Sequence, residues 1–243
     1  MLTVLIPAFN EAATLAAAVE RVIDVQPTLG LPLEVLIIDD GSTDATADIA
    51  EALTTRPSPG VEVTLALHRH ARNSGKGAAI RTGIAAASGD YIVVQDADLE
   101  YDPADLPKLL APIRDGRADV VYGSRFAGGE SHRVLYFWHS VGNRGLTLAS
   151  NMLTNLNLTD MEVGYKMFRA DTLKSLNLVE DRFGFEPEVT AKLAKLAKLD
   201  DPRCRIYEVG ISYAGRTYAD GKKITWRDGI EALWCILRHN LRW

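Results

Sequence analysis

The sequence predicts an α/β protein built on a mostly parallel sheet flanked by helices. Two observations carry this. Short apolar runs alternate with segments of helical periodicity, the rhythm of repeated strand–helix–strand units. In such sheets ligands gather beyond the carboxyl ends of the strands, which places "PAFNE", "DDGSTD", "GKG" and "DADLE" along one rim.

Residues 2–7 read as the first strand, after which Leu15, Val19, Val22 and Ile23 recur at helical spacing. Residues 33–39 form the second strand, and "GSTDATADIAEAL" opens a helix. A third strand covers 61–67 and leads into a helix through "GAAIRTGIAAA". Residues 91–95 and 119–123 are further strands. The second half is less regular, with helices near 136–156 and 185–199, strands near 164–169 and 205–213, and a final helix from about Trp226. "RPSPG" (56–60) is a short loop, and no internal repeat or linker divides the chain, so one domain over 1–243 is expected.

Composition narrows the function classes. A formal net charge of -5 gives no electrostatic basis for nucleic-acid binding. Cys204 and Cys235 lack metal or redox spacing and suit a reduced compartment, and the five histidines form no ligand motif. "MLTVLIPAFNEA" has no basic leader region and reads as a strand, so a cytoplasmic location is expected. No run approaches the ~20 apolar residues of a membrane span.

Each rim motif has its own chemistry. Asp39 and Asp40 stand at a strand end before Gly41, whose freedom allows a tight turn, and Ser42, Thr43 or Asp44 can cap the next helix. Capping does not account for two adjacent aspartates, which suit base N–H groups or ribose hydroxyls. "RNSGKGAAIRTG" is not a Walker motif, because His70 replaces its first glycine and Gly77 follows Lys76; two glycines around a lysine at a helix start still make an anion site. In "GDYIVVQDADLEYDP" a buried strand is followed by Asp96, Asp98 and Glu100 in alternation, which on an extended backbone point one way. Three like charges on one side call for compensation, by a solvated loop or more fully by a divalent cation; Mg²⁺ in such places takes one or two carboxylates together with substrate phosphates.

Together these motifs resemble the family 2 glycosyltransferases of the GT-A nucleotide-sugar fold. "IPAFNEAATL", "IIDDGSTDAT", "GKGAAIRTGI", "GDYIVVQDADLEYDP" and "VVYGSRFAGG" occur in the expected order across nearly the whole chain. "TDMEVGYKMFR", "RFGFEPEVTAKLAK" and "GRTYADGKKITW" resemble the narrower group that charges dolichyl or polyprenyl phosphate with a mannose or glucose. The resemblance implies a nucleotide-sugar-binding half over 1–123 and an acceptor-binding half over 124–243. It places Pro7, Phe9, Glu11, Asp39 and Asp40 in the nucleotide pocket, with Lys76 and Asp96 beside it. Asp98 matches the metal ligand, with Glu100 where relatives often carry glutamine, and the metal implied is Mg²⁺ or Mn²⁺. Arg125, Arg216 and Lys223 match basic residues near the phosphates, and Arg133 and Lys222 join the acceptor-binding set. The loop "RTYADGKK" is one residue longer than the mannosyl pattern, which leaves Lys222 and Lys223 as alternatives, and "GKG" looks more like the glucosyl relatives. The donor sugar stays open between GDP-mannose and UDP-glucose types.

The acceptor decides the mechanism. A phosphate monoester has a second pKa of about 6 and attacks an anomeric carbon without a general base, provided cations hold the two anions together. The alternative is a soluble hydroxyl acceptor, which needs a base; Asp160, Glu186 and Glu188 are the candidates. A non-catalytic nucleotide-binding module is a third reading, disfavoured by the intact D-x-D. A bilayer acceptor requires peripheral membrane contact. In the tail, Trp226, Ile230, Leu233, Leu237 and Leu241 gather on one helix face with Trp234 at its border, while Arg227, Glu231, Arg238 and Arg242 take the other. Such a face packs on its own domain or lies on a membrane. "VLYFWHSVGNRGL" (134–146), flanked by Arg133, is a second membrane candidate.

Overall fold

The computed structural model describes residues 1–56, 62–128, 133–134, 136–198, 204–216 and 226–241. Seven strands, β1 (Leu2–Ala8), β2 (Leu33–Asp39), β3 (Val63–Arg69), β4 (Tyr91–Val94), β5 (Val120–Ser124), β6 (Lys166–Arg169) and β7 (Ile206–Gly210), form one sheet in the order β3-β2-β1-β4-β6-β5-β7. β6 alone runs antiparallel to its neighbours β4 and β5; the other pairings are parallel. Parallel strands covered on both faces need apolar side chains in both directions, which is why Leu2, Val4, Leu5 and Ile6 are all fully buried.

The helices are α1 (Leu15–Asp24), α2 (Gln26–Leu29), α3 (Thr46–Thr55), α4 (Lys76–Ala86), α5 (Leu106–Arg114), α6 (Phe137–Thr154), α7 (Ala170–Ser175), α8 (Phe185–Lys198) and α9 (Trp226–Leu241). The chain steps outward from β1 to β2 to β3, then returns to the other side of β1 as β4. Right-handed crossovers therefore put α1 and α3 on one face and α4 on the other. The packing agrees: α1 meets α3, and α4 meets β1 and β2. The reversal between β1 and β4 leaves a crevice at their carboxyl ends, where the loops after Ala8 and Val94 emerge.

Several elements differ from the sequence expectation: the short helices α2 and α7 were not expected, and β7 is shorter than the strand read near 205–213. β3 starts at Val63 and reaches Arg69, because it pairs with β2 along its whole length, from Leu33↔Val63 to Asp39↔Arg69. α5 was not expected; it carries Pro107 and Pro112, a residue type that breaks helix interiors. Pro107 lies in the first turn, where its missing N–H is no loss, and Pro112 falls near the end. Leu106, Leu109, Leu110 and Ile113 supply its buried stripe.

α6 and α9 pack on each other and turn apolar faces outward. On α6 the exposed residues Phe137, Trp138, Val141, Leu148 and Met152 fall within an arc of about 100°. On α9, Ala232, Cys235 and Ile236 are buried, while Ile230, Leu233, Trp234, Leu237 and Leu241 are exposed. Among the described side chains, the apolar face read from the tail is thus the outer face of α9; those of Trp226, Arg227 and Arg242 lie outside them. Trp138 is 77% and Trp234 59% exposed. Among the described residues no helix is long and apolar enough to cross a membrane.

Candidate active site

The loops after β1 and β2 are stitched together. Asn10, in a left-handed conformation (φ 54), donates its amide to Ser42 Oγ at 3.0 Å and accepts the Thr43 amide at 2.8 Å. The Glu11 amide donates to Thr46 Oγ1 at 2.8 Å. Ser42 and Thr46 therefore bind loop to loop, and Asp44 accepts the Thr46 amide at the start of α3. Asp39 is fully buried; its Oδ1 accepts the Ser42 amide, while Oδ2 makes no hydrogen bond and lies 3.3 Å from Arg69 Nε. Pro7 and Phe9 are partly buried at the same rim.

Asp40 has a different place. Its Oδ1 accepts from His70 Nδ1 (2.6 Å) and the Ser74 amide (3.0 Å), and its Oδ2 accepts the Gly75 amide (2.7 Å). The carboxylate shapes the loop leading into α4. Gly75 (φ 102) is required there, because a Cβ would sit 2.3 Å from Asp181 O. The Ala78 amide donates to that same carbonyl. At "GKG" the Gly75 amide is thus taken by Asp40, and the Ala78 amide just beyond the motif by Asp181. Lys76 Nζ lies 2.9 Å from Asp96 Oδ1 and 3.3 Å from Glu186 Oε1. Burial opposes its charge, but those two carboxylates outweigh it and hold the ammonium above its usual range.

The three carboxylates of "DADLE" do not lie along one extended strand. β4 ends at Val94, and Leu99 adopts a left-handed backbone (φ 63). That conformation costs a non-glycine residue about 1–2 kcal/mol. Asp96 goes to Lys76, whereas Asp98 and Glu100 meet Arg216. Arg216 Nη2 donates to Asp98 Oδ2 at 3.0 Å, Nε lies 3.6 Å from Glu100 Oε1, and Nη1 lies 3.7 Å from Glu11 Oε2. Glu100 also accepts the Arg216 amide (2.8 Å) and the Tyr213 hydroxyl (2.6 Å). Burial first, then the charges of Asp96 and Glu100, push Asp98 up to about 7. One guanidinium therefore leaves negative charge uncompensated. Among the described residues no group of three or more His, Cys, Asp or Glu forms a metal cage. A pair of hard carboxylate oxygens fits a cation that takes its remaining ligands from a bound diphosphate.

Arg125 is held by a bidentate pair, Nε to Asp160 Oδ2 (2.6 Å) and Nη2 to Asp160 Oδ1 (2.7 Å), with Asn143 bracing both partners. Its guanidinium lies 5.2 Å from the centre of the Tyr213 ring. Arg133 donates its amide to Tyr213 O and Nη1 to Gly215 O. Three arginines thus collect around residues 213–216, beside Asp98 and Glu100. Lys222 and Lys223 lie outside the described residues.

Sequence reasoning did not single out Tyr213, which links these groups, or Glu162 and Lys166, which lie near Glu186 and Asp160. Burial, then the Glu186 charge, pushes Glu162 up to about 8, and burial pushes Lys166 down to about 8. The signal was present in "TDMEVGYK", two charged residues flanking a buried turn into a strand, but charge alone did not mark them as inward-facing.

The sheet order, the crevice beside β1 and the carboxylate–arginine rim define a glycosyltransferase of the GT-A fold. The chain belongs to the glycosyl transferase family 2, whose model matches residues 3–176. It is 34% identical over 230 residues to an undecaprenyl-phosphate mannosyltransferase of Micrococcus luteus, covering 90% of this chain and 85% of the relative. It is 27% identical to a dodecaprenyl-phosphate galacturonate synthase of Rhizobium johnstonii, covering 91% of this chain but only 61% of that longer protein. Among solved structures, glucosyl-3-phosphoglycerate synthase from Mycobacterium tuberculosis in complex with UDP superposes with a TM-score of 0.70 at 20% identity, covering 98% of this chain and 79% of that one. A complex of the same enzyme with Mn²⁺, UDP and glucosyl-3-phosphoglycerate gives a TM-score of 0.67, also at 20% identity, over 99% and 80% of the two chains.

Proposed function

We propose that this chain transfers a hexose from a nucleoside-diphosphate sugar to a polyprenyl phosphate at a membrane surface. The observation that carries the reading is the gathering of Arg125, Arg133 and Arg216 around residues 213–216, next to Asp98 and Glu100. That arrangement suits two anions brought together. In this reading a phosphate oxygen of the acceptor bonds to the anomeric carbon as the bond to the donor diphosphate breaks, and the electron pair leaves with the nucleoside diphosphate. The arginines hold the acceptor phosphate with charge-assisted hydrogen bonds. Asp39, whose Oδ2 makes no hydrogen bond, and Glu11 serve the nucleoside. Asp98 and Glu100 would hold Mg²⁺ or Mn²⁺, which supplies charge stabilisation for the leaving diphosphate when bound. The names of the Micrococcus and Rhizobium relatives support the acceptor class, and the Mn²⁺ complex of the Mycobacterium enzyme supports the metal.

The candidate bases for a hydroxyl acceptor are each committed elsewhere. Asp160 is clamped by Arg125, and Glu186 faces Lys76. Glu188 accepts the Val179 and Glu180 amides and pairs with Lys192. A screen of GDP-mannose and UDP-glucose with a short polyprenyl phosphate, against a soluble polyol, tests the reading. Metal-dependent formation of a lipid-linked sugar is expected; transfer to the polyol alone overturns it.

The outward apolar faces of α6 and α9 suit the bilayer in which such an acceptor lies, with Arg133 and Arg144 nearby for anionic headgroups. The full chain is expected to float with anionic liposomes at low salt and to release as salt screens the attraction. Trp138→Ser combined with Trp234→Ser should cut the floating fraction several-fold. No flotation of the wild-type chain at low salt overturns direct docking.

A further inference from the structure

Among the described residues, three buried side-chain polar atoms lack a hydrogen-bond partner: Asp39 Oδ2, Glu162 Oε1 and Arg216 Nε. Buried polar groups are paired almost everywhere in folded proteins, so an unpaired one calls for an explanation, and a ligand that completes it is one. Asp39 stands at the end of β2 and Arg216 on the Asp98–Glu100 pair, where a nucleoside and a phosphate have already been placed. Glu162 is the third, and no motif assigned it a role. It sits on the segment between Asp160 and β6, and besides Lys166 its charged neighbours come from two clusters. Glu186 belongs to the Lys76–Asp96 group, while Arg125 and Asp160 form the ion pair on the acceptor side.

We propose that the Glu162 carboxyl hydrogen-bonds a hydroxyl of the sugar being transferred and so helps to select which sugar is accepted. The inference rests on the reading that the chain binds a nucleotide sugar. In that reading the hexose must lie between the donor diphosphate and the acceptor phosphate, and Glu162 has neighbours on both sides of that gap. The chemistry of the group fits. Burial and the Glu186 charge favour its protonated form near neutrality, against the pull of Lys166 and Arg125. A protonated carboxyl both donates and accepts, as a sugar hydroxyl does.

Calorimetry with Mn²⁺ separates this role from a structural one. GDP, GDP-mannose, UDP and UDP-glucose are titrated into wild type, Glu162→Gln and Glu162→Ala, with melting temperatures recorded in parallel. Glu162→Ala is expected to weaken the accepted nucleotide sugar by about tenfold, while the matching free nucleotide stays within about twofold. Glu162→Gln keeps a donor and an acceptor and should lose less. Unchanged nucleotide-sugar affinity in Glu162→Ala overturns the proposal. So does an equal loss for nucleotide and nucleotide sugar, which marks a folding role. Wild type that binds no nucleotide sugar overturns the transfer reading and this inference together. Wild type that binds one but leaves polyprenyl phosphate unmodified overturns only the acceptor assignment.

Discussion

Asp98→Ala is expected to abolish transfer, with a loss of about a thousandfold or more, and to remove measurable Mn²⁺ binding. The geometry gives the reason. Asp98 and Glu100 are the two carboxylates turned toward Arg216, and Asp98 is the one whose charge is least satisfied, being pushed up to about 7 by burial and by its acidic neighbours. A bound cation relieves that repulsion and stabilises a leaving diphosphate by several kcal/mol, and each 1.36 kcal/mol is a factor of ten in rate. Glu100→Gln should cost about tenfold or less. Its remaining amide oxygen can still accept the Arg216 amide, and the Tyr213 hydroxyl can turn to accept from the new amide nitrogen. Manganese titration followed by electron paramagnetic resonance, beside transfer assays, checks both variants. Wild-type transfer by Asp98→Ala in chelator-treated buffer sinks the assignment.

The sheet was legible because its inner strands are buried on both faces and so read as near-continuous apolar runs, as 2–7 and 33–39 do. The antiparallel strand β6 was visible as a strand but not as a reversal, since direction is set by partners and not by composition. α5, which carries two prolines, was not read. The rim motifs were found by type and position, yet their internal pairing was not. Nothing local in "GKG" says that Lys76 turns to Asp96 and Glu186, which lie far along the chain, or that Asp181 closes over the helix start. The turn after β4 explains the largest difference. A period-two pattern promises one-sided side chains only while the backbone stays extended, and the chain leaves the strand at Val94 and passes through the left-handed Leu99 before it reaches Glu100. The amphipathic tail shows the converse. Its apolar face was read, but the face that meets the protein, with Ala232, Cys235 and Ile236, was not, because it is set by α6 and α8, against which α9 packs.

Arg216→Ala is expected to move two quantities in opposite directions. Its guanidinium reaches Asp98 at 3.0 Å, Glu100 at 3.6 Å and Glu11 at 3.7 Å, and it stands where a divalent cation on Asp98 and Glu100 would have to approach. Cation and guanidinium cannot both take Asp98 Oδ2 at hydrogen-bond distance without strong repulsion, which at about 4 Å and an effective dielectric of about 20 amounts to roughly 4 kcal/mol for unit charges. Removing the arginine should therefore tighten Mn²⁺ binding in the absence of nucleotide by about fivefold or more. Transfer should fall by tenfold or more, because a charged hydrogen bond to the acceptor phosphate is worth about 1.5–3 kcal/mol. Arg216→Lys keeps one charge but not the planar reach to three carboxylates, so its metal affinity should lie between wild type and alanine. Unchanged transfer in Arg216→Ala removes the acceptor role. Weaker metal binding in the same variant shows that the arginine organises the carboxylates and does not compete for them.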